Sequence, residues 1–398
     1  MGEAVLSELL DRSHRVSAWE IPALVDEAGR RLGLAGVCLY VADLQQLRLV
    51  VLPGVDRRVD DQAVDIDGSL GGLAYRTQRV QHSREGDVAW MPMIDGVERV
   101  GVMKAVGADL TPDLLDACRA LAALATLLIM SKAPYMDLLI ERERSRTMSV
   151  QAELLWAFLP PRTIGTKSVT SSAVLEPAYD IGGDAFDHNL TDGILHLTLL
   201  DAMGHDLASG GASATGIAAC RATRRSGGAL PDIGMTIDRT LDAWIPGRLM
   251  TAVIANLDTA SGQFTWINCG HPPPLLIRDG HVLPQVLDRP PQLPLGLGFH
   301  LAAPPVLHHE RLQPGDRVLL YSDGVTEARA PEGSLFGEER LTDAVIRSMA
   351  AGETAPEALR RLIQDLLSHQ DHQLRDDATI LLAEWHPRDG PALRRPVR

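Results

Sequence analysis

RVLLYSDGVTE, residues Arg317–Glu327, opens with an apolar run, Val318–Tyr321, fit for a buried strand, and ends that run at Ser322-Asp323-Gly324. A carboxylate therefore sits where a strand turns. Alone, an Asp-Gly pair after a strand is a turn and nothing more. Three further acidic turns lie in the same half of the chain: Gly182-Gly183-Asp184, Asp201-Ala202-Met203-Gly204-His205 and Arg375-Asp376-Asp377. Each stands beside an apolar, strand-like run. Carboxylates gathered at strand ends are how a protein holds hard divalent cations, which take oxygen ligands.

Around these turns, strands and helices alternate from Thr163 to about Trp385. Ala173–Leu175, Ile194–Leu200, Pro274–Ile277, Arg317–Tyr321 and Ala378–Trp385 read as strands. Met250–Leu257 and Gln263–Cys269 read as a hairpin across Asp258–Gly262. Asp206–Arg224 is a helix rich in small residues, and Ile233–Trp244, Glu338–Met349 and Ala355–His369 are further helices. Strands at both ends with helix pairs between them predict helices packed outside two stacked sheets. The tail, His386–Arg398, is Pro- and Arg-rich and reads as disordered.

The N-terminal part has a different order. Ile21–Leu34 is a helix, Gly36–Ala42 and Leu47–Leu52 are strands, and Gly68–Thr77 is a short helix opened by glycine. Val88–Ile94 and Val97–Val106 flank Asp95-Gly96, a strong hairpin signal. Thr111–Met130 is a long helix with Thr111 as N-cap and Pro112 at its first position. This is one antiparallel sheet with helices, so the whole chain is α+β. Between the two parts, Pro134 breaks a helix that resumes over Tyr135–Leu159. Met148, Ala152, Leu155 and Leu159 form one apolar seam on it. The seam needs a covering surface: the same helix of a second subunit, which we expect and which makes a homodimer, or the C-terminal domain itself.

Size and composition bound the reading. A chain of 398 residues exceeds one ordinary core. Hydrophobic content of 45% and charged content of 23% are those of a globular protein. A formal net charge of −14 argues against general nucleic-acid binding. Four scattered cysteines form no disulfide or zinc framework. Met1–Glu20 lacks the apolar core of a signal peptide, and Ala120–Met130 is too short to span a bilayer. The expectation is a cytoplasmic protein without a membrane partner. No GxSxG elbow, P-loop or dinucleotide fingerprint is present.

Two resemblances follow. IDGSLGGLAYRTQRV and VAWMPMIDGVERVGVM, in this order of elements, resemble a GAF domain over roughly residues 15–131. That family implies a ligand pocket over the sheet, and therefore an unidentified small molecule as a candidate ligand. A purely dimerising or gating domain stays open. The strings PAYDIGGDAFD, LLDAMGHD, WINCGHPPPLLI, GDRVLLYSDGVTEARAPEGSLFGEERL and RDDATILLAEW are more specific. Their order and spacing resemble the bacterial PP2C-like (PPM) serine/threonine phosphatases over about residues 150–385. The likeness is to the branch typified by the stage II sporulation phosphatase and activators of stress sigma factors. LLWAFLPPR before them resembles that branch's leading helix.

The resemblance implies an αββα sandwich over 163–386, a helical connector over 132–162, and a centre of two divalent cations, Mn²⁺ or Mg²⁺. By motif position, Asp201 would bridge the cations and Ala202 would lend its backbone carbonyl. Asp323 and Asp376 would bind the other side, and Asp184 would bind directly or through water. Asp377 is a weaker candidate. The implied reaction is hydrolysis of phosphoserine or phosphothreonine without a phosphoenzyme. The implied substrate is an anti-sigma-factor antagonist of the STAS type, under control of the GAF-like domain. One departure stands out: the family's Gly-His-Gly is here Gly204-His205-Asp206. Asp206 would strain the turn if its φ were positive, and would add a carboxylate beside the metals. That departure is the one support for a rival reading, a pseudophosphatase scaffold. A ligand sensor without significant turnover is the other. His205 and His271 read as packed turn residues.

Overall fold

The structure, a computed structural model, describes residues 2–387 except 54–62, 136, 181, 291, 372–373 and 375. The tail read as disordered therefore lies, from 388 on, outside the described residues, as does Arg375. The chain divides into two compact units, Met1–Thr147 and Met148–Arg398.

The first unit runs α1 (Gly2–Ser13), α2 (Ile21–Arg31), β1 (Gly36–Ala42), β2 (Arg48–Val51), β3 (Val64–Asp65), α3 (Leu70–Thr77), β4 (Gln81–His82), β5 (Val88–Asp95), β6 (Glu98–Val106), α4 (Pro112–Lys132) and α5 (Asp137–Glu143). Its sheet has the order β3-β2-β1-β6-β5-β4, antiparallel throughout. Thr111 caps α4 by accepting the Leu114 amide at 3.4 Å, and Ser69 caps α3 through Gly72 at 2.9 Å. One face of the sheet buries α1, α2 and α4 in a common core that includes Leu9, Val25, Met91, Leu121 and Ile129. Under α3 the other face is filled by Tyr40, Trp90, Tyr75 and Ile66, with Tyr40 and Trp90 rings 5.4 Å apart. Among the described residues one helical stretch, Pro112–Tyr135, is long and apolar enough to cross a membrane. It exceeds the apolar run read from sequence, and its Leu121, Ala125 and Ile129 face lies in this core.

The second unit runs α6 (Val150–Trp156), β7 (Thr163–Gly165), β8 (Val169–Glu176), β9 (Asp184–Thr191), β10 (Ile194–Ala202), α7 (Leu207–Arg225), α8 (Leu230–Trp244), β11 (Met250–Asp258), β12 (Gln263–Cys269), β13 (Leu275–Arg278), β14 (His281–Leu283), β15 (His308–Arg311), β16 (Arg317–Tyr321), α9 (Asp323–Thr326), α10 (Gly337–Ala350), α11 (Ala355–His369) and β17 (Ala378–Trp385). Two antiparallel sheets form, β15-β12-β11-β10-β9 and β14-β13-β16-β17-β8-β7. Helices α7 and α8 cover the first sheet, and α10 and α11 cover the second. This is the αββα sandwich expected. All eight residues of β17 are buried, as a central strand requires. On α11, Leu359, Leu362, Ile363 and Leu366 recur at helical spacing and are all buried. Each contributes about 2 kcal/mol by leaving water.

The helix expected over Tyr135–Leu159 is interrupted between α5 and α6. The end of α5 is tied to the first unit, where the Leu44 amide donates to the Glu143 carbonyl at 2.7 Å. The start of α6 is tied to the second unit, where the Ser149 amide donates to the Tyr179 carbonyl at 2.9 Å. Met148, Ala152 and Leu155 are buried, the last completely, and α6 packs on α7. The seam is covered inside its own unit, the alternative to a helix pair between subunits. Leu159, the fourth seam residue, is half-buried.

Candidate metal centre

Four acidic turns meet at one end of the sandwich because the sheets deliver them there. Asp184 begins β9 and Asp201 closes the adjacent β10, directly opposite it in register. Ser322-Asp323 follows β16, and Asp376-Asp377 precedes β17, its neighbour. The two sheets are joined here by side chains: Thr379 Oγ1 on β17 donates to Asp184 Oδ2 at 2.6 Å. The Ser322 hydroxyl donates to the Asp377 carbonyl at 3.3 Å and accepts the Thr379 amide at 2.9 Å.

The Gly-Gly pair explains how closely the turns nest. A Cβ on Gly183 would lie 2.1 Å from the Ala202 carbonyl oxygen, so only glycine fits. The Ser213 hydroxyl on α7 donates to the Gly183 carbonyl. Asp377 fixes the same loop from the other sheet: its carboxylate accepts the amides of Gly182, Gly183 and Asp184 at 2.8, 2.6 and 3.0 Å. Three successive backbone amides on one carboxylate make Asp377 a positioning residue for Asp184. The sequence ranked it as a weaker ligand and gave no sign of this work, because the partners are backbone groups 195 residues away.

The electrostatics follow from burial and from the carboxylates' mutual proximity. Burial raises Asp184 well above the ordinary carboxylate range, and Asp201 and Asp377 add to the rise; hydrogen bonds from Ser322 and Thr379 oppose it. Asp201 is pushed up to about 7, by burial first and then by Asp323, Asp376 and Asp377. Asp323 is raised by burial and by Asp376. Asp376 is raised by burial, against the Asp377 amide and the charge of His205. Among the described residues no three His, Cys, Asp or Glu side chains close on a single point as a preformed cage. Like charges in a partly buried site stand apart unless cations are held between them. Four carboxylates in a setting that penalises their charge are hard oxygen donors, and such donors fit divalent Mg²⁺ or Mn²⁺ by their chemistry.

Asp206 is not strained. It has φ −109 and ψ 178, extended backbone open to any residue, and it is the N-cap of α7. The positive φ of the turn, +100°, falls on Gly204 instead. The Asp206 carboxylate accepts the Ser209 amide at 2.9 Å and pairs with Arg248 at 2.6 Å. The Ser209 amide first, and Arg248 second, hold it down to about 2. Arg248 also donates to the Met203 carbonyl at 3.1 Å, so the pair clasps the turn from outside. Asp206→Ala removes a cap and leaves Arg248 unpaired. The expected result is a melting temperature lower by a few degrees with no gain in turnover. A rise in turnover across Mn²⁺ and Mg²⁺ titrations would restore the strained-turn idea.

His271 is a packed residue, as read, and the structure supplies its partners. The Thr251 hydroxyl lies 2.7 Å from Nδ1, and Nε2 lies 3.1 Å from the Tyr321 carbonyl. A carbonyl only accepts, so Nε2 carries the proton and Nδ1 accepts from Thr251. The ring thereby links β11 of one sheet to the end of β16 in the other, two residues before Asp323. Burial pushes its pKa down to about 3 from 6.5. The fold holds the neutral form. Its contribution is complete above about pH 6.5 and drains away as pH falls toward about 3. His271→Phe, which keeps a planar ring but is larger and orphans both partners, is expected to cost about 2–4 kcal/mol at pH 7.5. The deficit should narrow on acidification; a pH-independent difference in melting temperature refutes the linkage.

Comparisons with known proteins concern this unit. Residues 191–386 match the sequence model of the family Stage II sporulation protein E (SpoIIE). The chain is 22% identical over 255 residues to the phosphoserine phosphatase RsbU of Bacillus subtilis (strain 168), covering 61% of this chain and 71% of RsbU. It is 26% identical over 129 residues to protein IcfG of Synechocystis sp. (strain ATCC 27184 / PCC 6803 / Kazusa), covering 32% of this chain. The chain spans 19% of the length of IcfG. A solved structure of the RsbU and RsbW domains of Rv1364c from Mycobacterium tuberculosis matches with 24% identity and a TM-score of 0.47, over 57% of this chain and 63% of that one. The phosphatase domain and regulatory fragment of SpoIIE from Bacillus subtilis match with 19% identity and a TM-score of 0.45, over 56% and 65%.

Proposed function

Because residues 191–386 are a SpoIIE-type domain of the PP2C phosphatases, we propose that the chain is a metal-dependent protein serine/threonine phosphatase whose centre is Asp184, Asp201, Asp323 and Asp376. The observation that carries the site assignment is the convergence of these carboxylates, from strand ends of both sheets, in a setting that penalises their charge.

Two divalent cations, Mn²⁺ or Mg²⁺, are the cofactors of this reading. Asp201, the Ala202 backbone carbonyl, Asp323 and Asp376 would hold them. Asp184 already accepts from Thr379, which favours a contact through water. Such cations supply an activated water and charge neutralisation for in-line displacement at phosphorus. The protein's own part is placement. Asp377 fixes the Asp184 loop, His271 fixes the strand end before Asp323, and Gly183 sets the spacing between the loops of Asp184 and Asp201. The Thr379–Asp184 bond holds the two sheets in phase. In this reading water attacks phosphorus directly, so the chain's role in transfer is to orient rather than to carry the phosphoryl group.

The substrate we infer is a STAS-type anti-sigma-factor antagonist phosphorylated on serine or threonine, met in the cytoplasm. The similarity to RsbU, a phosphoserine phosphatase, supports this choice. The first unit is proposed as a GAF-like regulatory domain over 15–131, acting on the phosphatase through the interrupted segment between α5 and α6, with an unidentified small molecule as its candidate ligand. A homodimer, if formed through this reading, uses a surface other than the α6 seam. The pseudophosphatase alternative loses its one support, since Asp206 is a helix cap. The test is release of phosphate from phosphorylated STAS-domain proteins with Mn²⁺, with Mg²⁺ and with neither. Turnover only with a cation is expected; cation-independent turnover, or none, overturns the reading.

A further inference from the structure

An acidic centre faces a difficulty with a phosphoprotein. A net charge of −14 offers no long-range attraction to an anionic partner. Affinity for the protein around the phosphate then has to come from uncharged surface beside the centre. The second unit has such a surface at one corner. Trp244, the last residue of α8, is 80% exposed, and Phe299, Leu297 and Leu301 on the loop between β14 and β15 are exposed as well. A Trp that stands out of a folded unit is uncommon, and grouped exposed apolar side chains mark interaction sites.

The corner is built, not loose. Asp238 on α8 is fully buried and its carboxylate accepts four backbone amides of the loop: Gly296 at 2.7 Å, Leu297 at 3.0 Å, Gly298 at 3.1 Å and His300 at 2.9 Å. The loop backbone is thus held from within while its apolar side chains point to solvent. A surface ordered in advance loses little entropy on binding.

The corner is also continuous with the centre. Leu295 exchanges both backbone hydrogen bonds with Met250, whose register partner is Ala202. A Cβ on Gly296 would lie 2.2 Å from the Arg248 carbonyl, and the Arg248 guanidinium holds the carbonyl of Met203, itself exposed. Contacts therefore run from the patch through Gly296, Leu295, Met250 and Ala202 to Asp201. A second copy of the chain seated there would set two such acidic clusters against each other, which like-charge repulsion disfavours.

We propose that Trp244, Leu297 and Phe299 form the docking surface for the phosphorylated protein substrate, gripping apolar surface next to its phosphoserine or phosphothreonine. This rests on the phosphatase reading and specifies how that site selects a protein. The experiment compares wild type, Trp244→Ala and Phe299→Ser as full chains with Mn²⁺. The substrates are para-nitrophenyl phosphate and serine-phosphorylated STAS-domain proteins. Loss of an exposed aromatic anchor should lower kcat/KM for the phosphoprotein about thirtyfold. Hydrolysis of the small ester, which does not reach the corner, should stay within about twofold of wild type. Equal losses on both substrates, or phosphoprotein turnover unchanged in both variants, overturn the docking role. So does a wild-type dimer made monomeric by Trp244→Ala with protein turnover intact, which would assign the corner to a second copy. If wild type hydrolyses neither substrate, the phosphatase reading itself fails, and the docking surface with it.

Discussion

Asp201→Asn is expected to lower Mn²⁺-dependent phosphatase activity by at least about a thousandfold, roughly 4 kcal/mol of lost transition-state stabilisation, while the metal-free protein becomes more stable. Both effects have one origin. Asp201 stands in register with Asp184, faces Asp323 and Asp376, and is mostly buried. Its pKa is raised from 3.8 to about 7, so the folded, metal-free protein disfavours its charged form. That cost sets in as pH rises past about 4 and is complete above about 7. At pH 8 it amounts to roughly 4 kcal/mol at most. Asn keeps the shape and removes the charge. Its melting temperature in EDTA at pH 8 should exceed that of wild type, and the gain should vanish near pH 4. Saturating Mn²⁺ should reverse the order, since only wild type keeps the carboxylate proposed to hold the cations. Asp376→Asn should lose activity equally with a smaller gain in stability, since Asp376 is exposed. Full activity in either variant would falsify the metal assignment.

Gly183→Ala is expected to cost about a hundredfold in kcat with a loss of about 1–3 kcal/mol in stability. The added Cβ would meet the Ala202 carbonyl oxygen at 2.1 Å, and that oxygen is backbone in the middle of the centre. Relief needs the loops of Asp184 and Asp201 to separate by more than 1 Å, a displacement sufficient to spoil a reacting geometry. The neighbouring hydrogen bonds resist: Ala202 donates its amide to the Gly183 carbonyl at 3.2 Å, and Ser213 holds the same oxygen. The strain thus falls on Asp184 and Ala202 rather than on a flexible side chain. The diagnostic readout is weakened Mn²⁺ affinity with a native circular dichroism spectrum. A variant with wild-type kinetics would show that the loops can part without consequence.

Much of this was legible in the sequence where chemistry and periodicity agreed. Val318–Tyr321 followed by Asp323, the Asp258–Gly262 hairpin and the helix Ala355–His369 all combine an apolar pattern with a clear stop. Strand β9, Asp184–Thr191, was not legible, and the reason is physical. Its buried residues include Asp184, Asp187 and His188, so burial is secured by partners rather than by hydrophobicity. Asp187 is paired with Arg221 and Arg224 on α7, at 2.6 and 2.9 Å. His188 sits between Ser171 and the Pro161 carbonyl. No window of sequence contains those partners. Asp206 misled for a related reason: the motif shows which residue departs from the family pattern, while the backbone shows that the positive φ belongs to Gly204. The Met148–Leu159 seam was visible as a stripe, but spacing alone does not say whether a stripe is covered by a neighbour in the same chain. The helix α1 went unread because its apolar face, Val5 and Leu9, gains meaning only against α2 and α4.

The bond between Asp377 and the Gly182 amide spans 195 residues. On a ribosome adding about 5–20 residues per second, roughly ten to forty seconds separate the synthesis of its two ends. Throughout that interval Asp184 and Asp201 exist, but the carboxylate that sets their loop and the strand that carries Thr379 do not. A nascent or prematurely terminated chain therefore has β9 and β10 without a centre. The candidate centre is complete only when β17 takes its place between β16 and β8 in the second sheet. The order of strands along the chain ties assembly of the candidate centre to completed synthesis, so an unfinished copy lacks it.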